Sequence, residues 1–351
     1  MQNSKRKILF IDYISPDAHI HSTKPQIDSL TNLGYNVYCV FREGYFKRHG
    51  ISNAVNYLEI PSSFYPRKSG HLLPRLFYCR ILLYIWKNVK DDGWDYTIFQ
   101  YYELFSLALI PFFSSSFIVN HNTISKTSNP LICLALKSLG KRMRHVVFNS
   151  YQAEGLKSVG VDNVYIIPMM AHKLSKISGN EILKRYNIIE NKYIFCPSST
   201  SSNPEFISTL CENYAFLRFL NENQLKFVLK CSKGFVENKN PLVVGISEFL
   251  PEDEYNRLLK SSSVVLLAYK STFTFRVSGV LLECIENDIK CIINDIPSFR
   301  AYGDYIKTDI FFADIQEMLY KINMIIRYPE SIYYPYNTSI NIEDAWSETL
   351  K

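Results

Sequence analysis

The sequence predicts an α/β protein of two domains, and three observations carry that expectation. The chain has 351 residues, 47% hydrophobic and 15% aromatic, which exceeds what one core usually organises when a domain runs to about 100–200 residues. Near its start, residues 7–13 (KILFIDY) read as a strand, residues 24–33 as a helix that Gly34 closes, and residues 36–41 as the next strand, a βαβ opening. Far downstream, residues 263–269 (SVVLLAY) and 290–294 (KCIIN) read as buried parallel strands with a helix between them, so the alternation recurs.

The remaining elements follow in order. Residues 72–89 interleave Leu, Ile, Phe, Tyr and Trp86 with Arg75, Arg80 and Lys87, after Arg67 and Lys68, which predicts a helix with an aromatic face and a basic margin. Such a helix either covers a sheet or lies at a membrane interface. Residues 97–100 and 117–120 read as strands, and His121 directly follows the second, at the carboxyl edge where parallel sheets commonly form ligand crevices. Its neutral ring can donate one directional hydrogen bond to a ligand; the alternative is a loop histidine satisfied by backbone. A helix over 131–139, a strand over 146–149 and a helix over 151–160 complete this half. At residues 167–176 the composition changes, with Pro168 ahead of a Ser/Lys-rich run, which places the domains at 1–168 and 177–330, followed by a C-terminal segment, 331–351. The second domain opens with a helix near Asn180 and a strand over 193–196. The loop PSSTSSNPE then starts a helix over 205–220, followed by strands over 227–229 and 242–244 and a helix over 252–261. Residues 315–328 and 342–350 read as the last two helices, the final one carrying Trp346.

The most informative stretch is RVSGVLLECIENDIKCIINDIP, residues 276–297, in which a Ser-Gly turn leads into a helix that carries Glu283. The backbone N–H groups near Ser278, Gly279 and Val280 are those a helix start leaves unpaired, and Arg276 adds a guanidinium suited to phosphate oxygens. Glu283, about one turn further on, is placed to accept hydrogen bonds from ribose hydroxyls. Phosphate and ribose chemistry together suggest a nucleotide diphosphate, against the alternative of an ordinary helix start with a solvated arginine.

Ser278, Gly279, Glu283 and Asp295 resemble the donor-binding region of the retaining GT-B glycosyltransferases of the glycosyltransferase family 4 type. The likeness continues, as in a divergent member, through KILFIDY, FIVNHN around His121, HVVFNSYQAEGLKSVG followed by VYIIPM, and a Trp near the C-terminus. It implies a GT-B fold of two Rossmann-like domains facing a central cleft. The N-terminal domain would take the acceptor, the C-terminal domain the nucleotide sugar, and the terminal segment would cross back to the first domain. It also implies transfer of a sugar from a nucleotide diphosphate sugar to a glycan or lipid-linked glycan, in surface polysaccharide synthesis, with no cofactor and no metal, and with His121 contacting the donor sugar.

Several positions depart from the family's pattern. No GxGxxG follows the first strand. Ser15, Pro16, Asp17, His19 and His21 stand where the family usually has glycines, which argues against a dinucleotide site there and makes Asp12, Asp17, His19 and His21 acceptor-side candidates, or simply exposed loop residues. The family's Arg and Lys for phosphate are absent between residues 197 and 217, leaving Lys230 and Lys233 as substitutes. The paired glutamates would put a partner of Glu283 at position 275, which is Phe275. An inverting GT-B transferase with Asp12 or Asp17 as base, and a noncatalytic GT-B-like binding or scaffold protein, are therefore the alternatives.

Lys+Arg number 39 and Asp+Glu 33, a net charge of +6, which favours acidic ligands or an anionic membrane surface and is too dispersed for nucleic acid. The eight cysteines show no metal-ligand spacing and read as reduced core thiols. QNSKRK leads straight into a strand without the apolar part of a signal peptide, so a cytoplasmic location, at most at the inner face of the cell membrane, is expected. The apolar run at residues 104–113 is about half the length that spans a bilayer. No DxD is present; Asp91, Asp92 and Asp253 do not form a persuasive pair for a divalent ion.

Overall fold

A computed structural model describes residues 6–15, 20–51, 55–65, 73–110, 113, 116–169, 173–174, 177–197, 203–233, 235, 240–302, 309–331 and 342–351. The chain divides into two compact units. The first comprises Met1–Met170, Phe275–Val277 and Thr338–Lys351, the second Ala171–Thr274 and Ser278–Asn337.

In the first unit, seven strands form one parallel sheet: β1 (Lys7–Asp12), β2 (Asn36–Arg42), β3 (Asn56–Ile60), β4 (Tyr96–Tyr101), β5 (Ser116–Val119), β6 (Met143–Val147) and β7 (Val164–Ile166), in the order β3-β2-β1-β4-β5-β6-β7. Helices cover both faces, so the central strands are apolar at nearly every position. Leu9, Ile11, Val40, Phe99 and Ile118 point into one core with Ile81, Leu82 and Ile85 of the helix Leu73–Val89. Their neighbours Ile8, Phe10, Cys39, Ile98 and Phe117 point into the other, with Ile27 and Leu30 of the helix Ile20–Asn32. This is the two-residue alternation of a strand buried on both sides. The C-terminal helix, Ile342–Thr349, joins the second of these cores through Trp346, whose ring meets Phe117 edge-on at 5.9 Å. Tyr96 Oη donates to Leu350 O at 2.6 Å and Asn32 Nδ2 to Glu343 Oε1 at 2.8 Å.

In the second unit, six strands form a separate parallel sheet: β8 (Tyr193–Cys196), β9 (Lys226–Lys230), β10 (Val243–Ile246), β11 (Val264–Leu267), β12 (Cys291–Asn294) and β13 (Phe311–Phe312), in the order β10-β9-β8-β11-β12-β13. Both sheets are Rossmann-like, and the chain has the two-domain α/β fold of the GT-B type.

Three local expectations change. The predicted helix over 205–220 is two helices, Pro204–Glu212 and Tyr214–Glu222, because Asn213 turns extended (φ −70°, ψ 118°) and its Oδ1 accepts from Phe216 N at 3.0 Å, capping a new helix. The first helix starts at Ile20 rather than Lys24, with Pro25 inside it; burial of Ile27 and Leu30 in the core opposes the cost of the missing N–H. The edge strands β3, β7 and β13 escape the apolar pattern, since β3 and β7 are only partly buried and β13 has two residues.

Candidate functional site

In each sheet the strand order reverses once, between β1 and β4 in the first and between β8 and β11 in the second. The chain leaves such a pair of strands in opposite directions, opening a crevice at their carboxyl ends.

In the second unit β11 runs through Tyr269 to the helix Gly279–Glu286. Asn294, at the end of β12, pins that exit: its Oδ1 accepts from Tyr269 N at 2.7 Å and its Nδ2 donates to Tyr269 O at 2.8 Å. Asn203, the cap of the helix Pro204–Glu212 beyond β8, donates to the same carbonyl at 3.2 Å. The Tyr269 hydroxyl shares a 2.7 Å hydrogen bond with Ser278 Oγ, which in turn accepts from Leu281 N at 3.1 Å. Ser278 is therefore a buried N-cap, held from behind by a tyrosine, at the start of an eight-residue helix. A Cβ added to Gly279 would meet no protein atom within 4 Å, so packing does not require the glycine. One turn on, burial pushes the Glu283 carboxyl up to about 7, opposed by Tyr255 Oη, which donates to Oε2 at 3.5 Å. The helix dipole places partial positive charge at Ser278 and Gly279, and Glu283 adds an acceptor that gains its charge near neutral pH.

The other second-unit candidates are spoken for to different degrees. Asp295 is paired with Arg300 (Nε to Oδ1 2.8 Å, Nη2 to Oδ2 2.9 Å). Lys230 Nζ donates to Glu248 O, whereas Lys233 is exposed. Arg276 belongs to the first unit while Ser278 and Gly279 belong to the second, although only Val277 separates Arg276 from Ser278 in sequence.

In the first unit His121 follows β5, as the sequence indicates. Its Nε2 lies 3.0 Å from Gln100 O, and because a carbonyl only accepts, Nε2 carries the proton. The ring rests between Tyr101 (5.3 Å) and Phe148 (5.0 Å). It lines a cavity of about 380 Å³ together with Arg75, Tyr78, Tyr101, Tyr102, Glu103 and Lys126. None of those six was singled out as a site residue from the sequence. Tyr101, Tyr102 and Glu103 stand directly after a predicted strand, the same signal that marked His121, whereas Arg75 and Lys126 come together with them only through the fold.

Asp12 ends β1 fully buried. Its Oδ1 accepts from Ser15 N at 2.6 Å, and Oδ2 has no hydrogen-bond partner among the described residues. Burial raises its carboxyl to about 7, the Ser15 and Ile14 N–H groups opposing. Asp17 and His19 lie outside the described residues, as does the side chain of His21. Phe275 is a packing residue of the first unit. Its ring stacks on Tyr151 (4.9 Å, 20°) and its carbonyl accepts from Gln152 Nε2 at 2.8 Å; a Cβ on Gly155 would come within 2.5 Å of the ring.

No family model matches the sequence, and no curated protein matches it. Solved structures do resemble the fold. Sucrose-phosphate synthase from Thermosynechococcus elongatus superposes with a TM-score of 0.68 at 11% identity, over 99% of this chain and 96% of that one. Anabaena Alr3699/HepE, solved in complex with UDP and glucose, gives 0.63 at 12% identity over 98% and 94%. UDP-GlcNAc 2-epimerase from Methanocaldococcus jannaschii gives 0.60 at 13% over 99% of both chains. At these identities the shared property is the fold, one that carries both transfer and epimerisation.

Proposed function

We propose that this chain is a nucleotide-sugar-dependent glycosyltransferase, moving a sugar from a nucleotide diphosphate sugar to a glycan or lipid-linked glycan in surface polysaccharide synthesis. The observation that carries the reading is the second unit's helix start, where a tyrosine-braced N-cap, an open glycine and a half-buried glutamate follow the strand at which the sheet reverses. Solved structures of this fold with UDP, glucose and UDP-glucose support it. In this account the N–H groups at Ser278 and Gly279 hold the donor diphosphate, with Arg276 and Lys233 as candidate cations and Lys230 as a weaker one. Glu283 accepts from the ribose hydroxyls, and His121 in the first unit positions the transferred sugar. Charge develops on the leaving diphosphate as the glycosidic bond breaks, so fixed N–H dipoles and cations that meet it lower the barrier, the more so where water is excluded. Phe275, where the resembled family has a carboxylate, removes one contact to the sugar. The reading therefore includes a retaining outcome only as its first form, with inversion through Asp17 as the second, since Asp12 is fully buried and offers an acceptor no exposed oxygen.

A location at the inner face of the membrane rests on the helix Leu73–Val89. Ile81, Leu82 and Ile85 cover the sheet, while Leu76 is 68% exposed and Arg80, four residues on, is exposed too. Among the described residues no helix is long and apolar enough to cross a membrane.

The test is a panel of nucleotide sugars incubated with and without lipid-linked and free glycan acceptors, following release of nucleoside diphosphate and the anomeric configuration of the product. Acceptor-dependent release is expected. An epimerised nucleotide sugar formed without acceptor, or no turnover across the panel, would overturn the transferase reading.

A further inference from the structure

The cavity beside His121 carries chemistry that sugar positioning does not use. It is lined by two cations, Arg75 and Lys126, against one carboxylate, Glu103. That carboxylate is committed to the backbone: its two oxygens accept from Phe105 N (3.3 Å) and Ser106 N (2.7 Å), capping the helix Leu104–Leu109. Arg75 Nε stands 3.9 Å from Glu103 Oε1, beyond hydrogen-bonding distance, so the guanidinium shares the acid's field without spending donors on it. Its Cζ sits instead over the Phe105 ring, 4.2 Å from the centroid. A guanidinium placed against an aromatic face offers a planar fork of donors to an oxyanion, a geometry an ammonium cannot supply. Tyr78, Tyr101 and Tyr102 also line the cavity, and Tyr102 Oη donates its proton to Asn120 Oδ1 at 2.8 Å, which leaves that oxygen as an acceptor. Burial lifts all three phenols above their ordinary range, so they add no negative charge. The volume, about 380 Å³, falls within the range of small-molecule sites.

We infer that this cavity takes the acceptor by an anionic group, phosphate or carboxylate, paired with Arg75 and Lys126, while the tyrosine hydroxyls contact the adjoining sugar. The inference rests on the reading that the chain transfers a sugar to an acceptor, and it narrows that acceptor to a charged one. Apolar surface adjoins the lining residues in sequence: Leu76 follows Arg75, and Leu131, beside the lining residue Ile132, is 64% exposed. An anion carried on a lipid and one carried on a soluble sugar both fit, and the probes below separate them.

The experiment titrates the full chain calorimetrically with glucose, glucose 6-phosphate, glucuronate and octyl phosphate, in the wild type and in Arg75→Met and Lys126→Met. Lys126 is exposed, so its replacement tests the charge even where loss of Arg75 perturbs folding; thermal unfolding of each variant controls for that. At least one charged sugar is expected to bind tenfold or more tightly than glucose, and each variant to lose most of that preference. Equal affinity for charged and neutral sugars, or a preference intact in both variants, overturns the inference. Octyl phosphate binding more tightly than glucose 6-phosphate assigns the anion to a lipid, and the reverse order to a soluble sugar; either order upholds the anion site. UDP titrated into the same wild-type sample separates the two readings. UDP binding without an anion preference sinks this inference alone, whereas an anion preference without UDP binding sinks the nucleotide-sugar reading and, with it, the assignment of the anion to an acceptor.

Discussion

Glu283 and Asp12 are carboxyl groups that burial brings to about 7, and the consequences differ because Glu283 keeps some exposure and Asp12 has none. If Glu283 accepts from ribose, ionisation strengthens the bond, a charge-assisted hydrogen bond contributing about 1.5–3 kcal/mol. Glu283→Gln should therefore weaken UDP binding about tenfold at pH 8 and clearly less at pH 6; calorimetry at the two pH values checks this, and a ratio that does not move with pH removes the carboxylate from the ribose. Asp12 acts on stability. Below about pH 4 it is protonated in both folded and unfolded chains. Between about 4 and 7 the unfolded chain ionises while the folded one does not, so rising pH favours unfolding, and the loss is complete above 7. Relative to Asp12→Asn, the wild type should lose about 2–4 kcal/mol between pH 4 and pH 8; urea titrations across that range read the difference, and parallel pH profiles would contradict the burial argument. Neither shift is legible in the sequence, since both carboxyls look like ordinary strand-end or helix residues until burial is known.

At the scale of elements, the central strands were legible because burial on both faces makes every position apolar, and helix starts were legible from caps such as Asn203 and Ser278. Of the edge strands, β10 was legible as an apolar run, whereas β3 and β7 are partly solvated and β13 has two residues, so those three lose the signal. The split at Asn213 has a sequence signal that the longer helix overrides, since asparagine serves a helix interior poorly but opens a new one well. The candidate site was legible where chemistry follows a strand end, as at His121, and illegible where it depends on residues far apart, as with Arg75 and Lys126. Phe275 shows the converse case, a departure from the resembled pattern that the structure accounts for by packing. The helix Ser150–Ser158 offers Tyr151 as a stacking face, Gln152 as a donor and Gly155 as clearance for the ring. Gly155→Ala should thus cost about 1–3 kcal/mol through overpacking, and much of that cost should vanish in a Phe275→Ala background where the clashing ring is gone. A double-mutant cycle by denaturant unfolding measures the coupling; additive effects would mean that the ring does not set the requirement for glycine.

At the scale of the whole molecule, two sheets with separate cores make stability and ligand response separable by unit. The residues proposed to hold the nucleotide, Ser278, Gly279 and Glu283, lie in the second unit, and the cavity proposed for the acceptor lies in the first. A nucleoside diphosphate without its sugar should therefore act on the second unit first. At a hundred times its dissociation constant a ligand stabilises the form it binds by about 2.7 kcal/mol, enough to slow exchange of amides that open through unfolding of that form. Hydrogen exchange with and without UDP should show added protection in the helix Gly279–Glu286 and at Tyr269, whose N–H and carbonyl are already bound to Asn294 and report on loss of that bracing. Amides of β1, β4 and β5 should change much less, because their hydrogen bonds open with the first unit's own core. Protection confined to those first-unit strands would move the nucleotide to the other sheet. That result would overturn the donor assignment while leaving the two-sheet architecture intact.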